Sequence, residues 1–325
     1  MAMPTITQLA QSQRKQISDA DAANLEALAR AYSLMYSDLE GDVDSLMLAI
    51  EKLDKPSQAE IKALPQYKRL MRNAERELDD FTKYLETTVG TAAIAAIGLG
   101  LAHSEALVNT ATGGGFTGLD TGAMRQLLNF LRKDGPLYAR LKLITDSTID
   151  KVVKSILDGV ASGFNPRVIA SNIQDAFGGG LTDALRNTRT VQIKSYQESA
   201  RANYIATDGL VTGWVWFANL SGEPCLSCVA MHGTEHTLDE VLDDHYNGEC
   251  AALPLIPDFG NPVEQTGQAW FDSLDETRQR ALMGDSKYEA YSAGKFEFSA
   301  LSNQQNNDIF GTMRTETSLK DLLGE

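Results

Sequence analysis

All three cysteines of this 325-residue chain fall in one short stretch, EPCLSCVAMHGTEHTLDEVLDDHYNGEC. Cys225 and Cys228 are two residues apart, and His245 and Cys250 follow downstream. Three thiols and an imidazole in this arrangement are the ligands of a tetrahedral Cys3His zinc site, which is closed because no position remains for water. A closed site staples a fold and does not activate a substrate. The spacing predicts one structural Zn2+ per chain, held by Cys225, Cys228, His245 and Cys250. The competing reading is that the cysteines are reduced, buried and packed as small apolar side chains.

Composition narrows the partners. Hydrophobic content of 43% and charged content of 22% are ordinary for soluble protein. A formal charge of -15 argues against general nucleic-acid binding, which needs clustered Lys and Arg to neutralise phosphates. An acidic surface suits solubility or a basic partner. The start, MAMPTITQLAQSQRKQ, lacks the apolar core and cleavage site of a secretory signal, so a reducing compartment is expected. Val89 to Ala102 is apolar but short of the ~20 residues a spanning helix needs. A buried Ala-rich helix is the expectation there, with a close helix–helix packing face, or a segment that meets a membrane late in the protein's life, as the alternative, and no stable membrane span.

The first hundred residues carry helical periodicity. Leu25, Leu28, Tyr32, Met35 and Leu39 share one face, and Val43, Leu46, Ile50 and Leu53 resume it after an interruption at Gly41. Pro56 marks a break, and Ser57 with Glu60 form a capping box for a new helix. Pro65 predicts a turn or kink, after which Leu70, Ala74, Leu78, Phe81 and Leu85 continue. Thr110 to Gly122 is Gly/Thr-rich without the Lys-Ser/Thr ending of a phosphate loop, and reads as a linker. Helices are expected at Met124–Leu131 and Ile149–Val160, then from the Asn165-Pro166 cap to Gly178–Gly180, then from Leu181 to Ile205. The strand VTGWVWFANL places Trp214 and Trp216 on one face, as core. Further helix follows from about Gln268, and the residues from Ser302 read as a loosely held polar tail. The fold class is α+β and predominantly helical. Its expected segments are a helical region over 1–110, a helical linker region over 111–180, a small zinc-stapled domain over 181–300 and a tail over 301–325.

Two motifs suggest catalysis. His232, Glu235 and His236 match the His-x-x-Glu-His of inverted zinc peptidases, which need both imidazoles on one helix face. Gly233 and Thr234 between them read as a turn instead, so a metal-dependent hydrolase is kept only as the alternative. Asp244-His245 beside the cysteines resembles a ββα-metal nuclease, but no His follows His245 to complete a catalytic site. His103 reads as an ordinary packed histidine. Arg186, Arg189 and Arg201 are expected in ion pairs, with Arg189 alternatively anchoring the next strand through its carbonyls.

The order of these features resembles the Mu F-like minor head proteins of the phage head morphogenesis family. Arg189-Thr190 leads through Ala200 and Arg201 to Tyr204, Gly213 and Trp216 precede Cys225 and Cys228, and His232-Gly233 fills the following turn. His245, Cys250 and Pro254 close the pattern, and ETRQRALMGDSKYEAYSAGK resembles the family's C-terminal helix and Gly turn. The match covers roughly residues 165 to 300. Three positions depart: Tyr246 replaces the Pro after the His, Gly248 replaces the first Cys of a Cys-x-Cys pair, and Val191 replaces the acid after Arg-Thr. The resemblance implies a minor capsid protein of the virion, without enzymatic activity, in the head interior or at the portal vertex, and in the host cytoplasm during assembly. Its partners would be the portal protein and the major capsid or scaffolding protein, and it would assist procapsid assembly or genome packaging.

Overall fold

Thr5 opens the first helix. Its Oγ1 accepts from Gln8 N at 3.2 Å while Gln8 Oε1 accepts from Thr5 N at 3.0 Å, so two backbone donors are satisfied reciprocally. The computed structural model describes residues 5–121 and 135–324. The helix expected at Met124–Leu131 lies outside them. The described chain is predominantly helical, with a small β region near the C-terminus.

The helices are α1 (Ile6–Ile50), α2 (Gln58–Ala63), α3 (Pro65–Thr112), α4 (Pro136–Ala161) and α5 (Pro166–Ile205). Strand β1 (Gly213–Phe217) comes next, then α6 (Leu226–Met231), β2 (Glu235–Thr237) and β3 (Ala251–Leu255). The C-terminal part contains α7 (Gly267–Asp272), α8 (Glu276–Met283), α9 (Asp285–Ser292), a 3-10 turn at Phe298–Leu301, the hairpin β4 (Ser302–Asn307)–β5 (Gly311–Glu316) and α10 (Leu319–Leu323).

Residues Met1–Ala20, Ala93–Asn129 and Thr190–Glu325 make one compact unit; Asp21–Ala92 and Phe130–Arg189 make the other. This grouping cuts across the consecutive segments read from the sequence, because α1, α3 and α5 each contribute to both units.

Local signals act largely as predicted at the helix starts. The Ser57–Glu60 capping box opens α2. Pro65 is the first residue of α3 rather than a kink within it, a place where its missing N–H costs nothing. Asn165 Oδ1 accepts from Arg167 N at 2.9 Å at the head of α5. Glycine is where the sequence reading fails. Helix α1 runs straight through Gly41, and α5 runs through Gly178–Gly180 instead of stopping there. At Gly180 a Cβ would overlap the Thr148 hydroxyl, so packing in the helical unit outweighs the propensity cost of about 1 kcal/mol per Gly. The same unit buries Tyr32, which meets Phe81 edge-on at 4.8 Å and donates to Phe177 O at 2.8 Å.

In the other unit α3 and α5 cross at Gly100, where a Cβ would overlap Ser199 Oγ and Tyr196 O. The apolar stretch expected from Val89 is one part of the 48-residue α3, the one described helix long and apolar enough to cross a membrane by length and composition. Its Val89, Ala92, Ala93, Ala96 and Ile97 are buried inside the protein, as in a core helix. Beside the crossing, Asn203 Nδ2 donates to Leu101 O (3.1 Å) and Ser104 Oγ (2.9 Å). The Gly/Thr-rich stretch is pinned here as far as Leu119 and is not a free linker there. Phe116 N donates to Asn109 Oδ1, Gly118 N to Glu105 Oε2 and Leu119 N to Asn203 Oδ1, at 2.9, 2.9 and 2.7 Å.

The three-stranded antiparallel sheet has the order β2-β1-β3, with Trp214 opposite His236 and Pro254, and Trp216 opposite Ala252. Every residue of β1 is buried. Trp214 and Trp216 pack with Val108, Tyr204, Cys228 and Cys250, while Phe217 packs with Ala10, Leu107 and Leu253. Pro254 is tolerated because β3 is an edge strand. The residues expected to form a loose tail fold instead as the β4–β5 hairpin and α10. Arg314 and Gln304 of that hairpin hold Asp243 (Nε to Oδ1, 2.8 Å; Nε2 to Oδ2, 2.6 Å), a long-range partner that composition does not reveal.

Candidate metal centre

Cys225 sits at the N-cap of α6 and Cys228 one turn further on, so both thiols project from the same side of that short helix. The chain then traverses β2 and returns through a loop over 238–250. The turn in this loop has Asn247 at φ 60 and Gly248 N bonded to His245 O at 3.0 Å. It brings His245 Nε2 to 3.1 Å from Cys228 Sγ. Cys250 closes the loop just before β3.

The donor atoms form two overlapping groups that share Cys228. Cys225, Cys228 and His245 make one, and Cys228, Asp244 and Cys250 make the other, each with its atoms within 4.8 Å of one another. The four residues singled out in the sequence are thus gathered into a cluster that could bind a metal ion. Cys228 and Cys250 are buried, and all three cysteines are free thiols.

Asp244 is the residue that sequence reasoning undervalued. It is fully buried, and its two oxygens accept from His245 N (2.8 Å) and Cys250 N (2.9 Å). These bonds fold the loop around the carboxylate and aim both downstream ligands inward. Its position immediately before His245 was the available signal.

The ring of His245 is also oriented. Nδ1 lies 2.8 Å from Tyr246 O and donates to it, which leaves Nε2 for the thiols. An imidazole whose second nitrogen is held by a carbonyl is the usual arrangement of a metal ligand. The electrostatics agree. The Cys228 thiol hydrogen bond, followed by His245, pulls Cys225 down to about 4. The hydrogen bond to Cys225, reinforced by Asp244 against the effect of burial, pushes His245 up to about 9. The bond to Cys225 raises Cys228, and burial raises Cys250. A metal cation held by all four would have to displace the protons that His245, Cys228 and Cys250 carry.

One face of α5 braces this loop. Lys194 Nζ donates to Leu242 O (2.7 Å), Gln197 Nε2 to Cys250 O (2.8 Å), Arg201 Nη1 to Leu238 O (2.8 Å) and Tyr204 Oη to Ala252 O (3.0 Å). Thr190 Oγ1, on the same stripe, accepts from Asn247 N at 3.3 Å. Steps of three and four residues put all five on one side of a helix. Arg201 therefore has the carbonyl-anchoring role that was the alternative for Arg189. Arg189 instead pairs with Asp21 at 3.3 Å, Arg186 pairs with Asp183 at 2.7 Å, and Arg201 also pairs with Glu198 at 3.0 Å.

No protein-family model, curated protein or solved structure matches the chain.

The hydrolase motif is not assembled. His232 caps α6 and its Nδ1 accepts from Ala218 N at 3.0 Å. Glu235 and His236 are neighbours on β2, so their side chains leave opposite faces. His236 stacks on Trp214 at 4.2 Å, and Glu235 accepts from Asn261 at 3.1 Å. Among the described residues these three form no group close enough to share a metal. His103 is a packed histidine: it is buried between Tyr196 Oη (3.1 Å) and Gln16 Oε1 (3.0 Å).

Proposed function

We propose that this chain is a phage minor head protein, portal-associated, that assists procapsid assembly or genome packaging through protein–protein contacts. In this reading a Zn2+ bound by Cys225, Cys228, His245 and Cys250 staples the C-terminal part of the fold. Cys250 is the fourth ligand in preference to Asp244, because both Asp244 oxygens are committed to backbone N–H groups of the loop. The metal's contribution is structural: it ties α6 to the loop before β3, where the sheet alone is small.

One observation carries the proposal. Several of the positions on which the family resemblance rests build the cluster and its brace. Thr190, Arg201 and Tyr204 bond the loop, Trp216 packs against Cys228 and Cys250, and the four ligands converge. Residues matched only by order along the chain meet in one small body. The separation of His232, Glu235 and His236 supports the alternative hydrolase less well.

The test is quantitative mass spectrometry of purified particles from the source phage, counting this chain against the portal protein. A few copies per particle are expected. Absence from particles removes the minor-head reading. Zinc is assayed separately, as about one equivalent per purified chain, so the two parts of the proposal fail independently.

A further inference from the structure

A cleft of about 690 Å3 opens beside β1 in the same unit as the cluster. That volume lies within the range of small-molecule sites, roughly 300–1,000 Å3. It is bordered by Arg14, Lys15 and Ser18 of α1, by Asn219 after β1, by His232 and by Glu249.

Two features of the wall are unusual in a chain of net charge -15. Among the described residues the half-buried Arg14 guanidinium makes no direct ion pair, and Glu249 and Asp244 act on it only through space. Its Nη2 donates to Phe217 O at 2.9 Å, its carbon lies 4.8 Å from the Phe217 ring centre, and its Nε is buried without an acceptor. A cation removed from water in this way ordinarily has an anionic partner. His232 is the second feature. Because its Nδ1 accepts from Ala218 N, the neutral ring carries its hydrogen on Nε2, making it a fixed donor. Phe217 lies against both groups, with the His232 ring 5.5 Å away, so one aromatic side chain holds the two donors at the cleft.

We propose that this cleft binds one oxyanion, a carboxylate or phosphate group of a small molecule, through Arg14 and His232. The planar guanidinium suits either group, since both present two oxygens side by side. Lys15 adds positive charge at the rim, although it also pairs with Asp19 at 2.7 Å. Glu249 on the wall competes for Arg14 and opposes any incoming anion, a polyanion such as nucleic acid most strongly, so a single small anionic group is the ligand that fits. The inference does not depend on the minor-head reading.

The experiment uses the full, zinc-loaded chain with inorganic phosphate and acetate as probes, and sodium chloride at matched ionic strength as control. Calorimetric titration should show saturable binding of at least one probe. Arg14→Lys, which keeps the charge but loses the planar fork, should weaken it at least tenfold, and Arg14→Gln should abolish it. In the wild-type protein the 15N signal of His232 Nε2 should move with the same saturation curve, a readout that survives if a variant fails to fold. Phosphate without acetate, or the reverse, identifies the ligand's anionic group. Absence of saturable binding by both probes overturns the proposal. So does binding that leaves the His232 signal unmoved, or that persists in a folded Arg14→Gln.

Discussion

Gly248 backs directly onto the Asp244 carboxylate, and a Cβ at this position would overlap it. This contact leaves no room for a side chain at position 248. Asp244 organises the loop through its bonds to His245 N and Cys250 N, and any side chain at 248 displaces it. Gly248→Ala should therefore destabilise the C-terminal part by about 1–3 kcal/mol, the usual range for overpacking. It should also lower zinc occupancy. Urea denaturation with metal analysis of the same samples checks this, and an unchanged midpoint with full occupancy would refute it.

Removal of the proposed zinc should loosen local structure, because Cys225 and Cys228 of α6 and His245 and Cys250 of the following loop would be tied through it. Cys228→Ser breaks the residue shared by both donor groups and should lower bound zinc to well under one equivalent. A strong chelator should produce the same melting behaviour in the wild type. Identical melting of wild type, variant and chelated protein would show that the thiols are merely packed.

The brace from α5 is testable without touching a ligand. Tyr204→Phe keeps the buried ring but orphans Ala252 O, and Lys194→Met orphans Leu242 O. Each should cost about 1–3 kcal/mol, the penalty of an unsatisfied buried acceptor. Chemical denaturation of each variant measures the loss; a change within error in both would mean that the loop holds itself.

Acid should weaken the fold in part through His232. Burial, aided by Arg14, pulls its folded value down to about 4 from 6.5. Between these values the unfolded chain takes up a proton that the folded chain does not, so stability rises with pH across this window. The contribution is complete above about pH 6.5 and is lost as pH falls toward 4. It amounts to about 3 kcal/mol at most. Between pH 7 and pH 5, the wild type should therefore lose more stability than His232→Gln. Parallel losses would count against a buried neutral imidazole.

Two glycines of the apolar stretch of α3 should respond in opposite directions. Gly100 sits at the crossing with α5, and Gly100→Ala should cost about 1–3 kcal/mol. Gly98 has nothing within 4 Å of its would-be Cβ, so Gly98→Ala should stabilise the helix by about 0.5–1 kcal/mol. Thermal melts of the pair decide whether this segment is packed as described.

Legibility followed the range of the interaction. Ser57 with Glu60, and Asn165 with Pro166, mark helix starts through bonds spanning two or three residues, and such bonds are visible in sequence. The clustering of Cys225, Cys228, His245 and Cys250 was legible because thiols and imidazoles are rare in this chain and lie close together. Gly41 and Gly178–Gly180 misled, since propensity alone ends a helix that packing sustains. The fate of the Gly/Thr-rich stretch and of the last residues was hidden for the same reason. Their partners, such as Asn203 for Leu119 and Asp243 for Arg314, lie 84 and 71 residues away.

Periodicity, caps and ligand chemistry act over a few residues, and they suffice for a mainly helical chain, for several helix starts, for β1 as a buried strand and for the four side chains that could share a metal. Long-range packing is what makes α1, α3 and α5 each serve two units, sets α5 against the loop carrying His245 and Cys250, and draws His232 and His236 into separate surroundings. Those outcomes depend on close approach between distant segments, at Gly100 and Gly180, and on buried carbonyls finding donors across the fold. A sequence pattern does not specify such pairings, because each is selected by the packing of all the others.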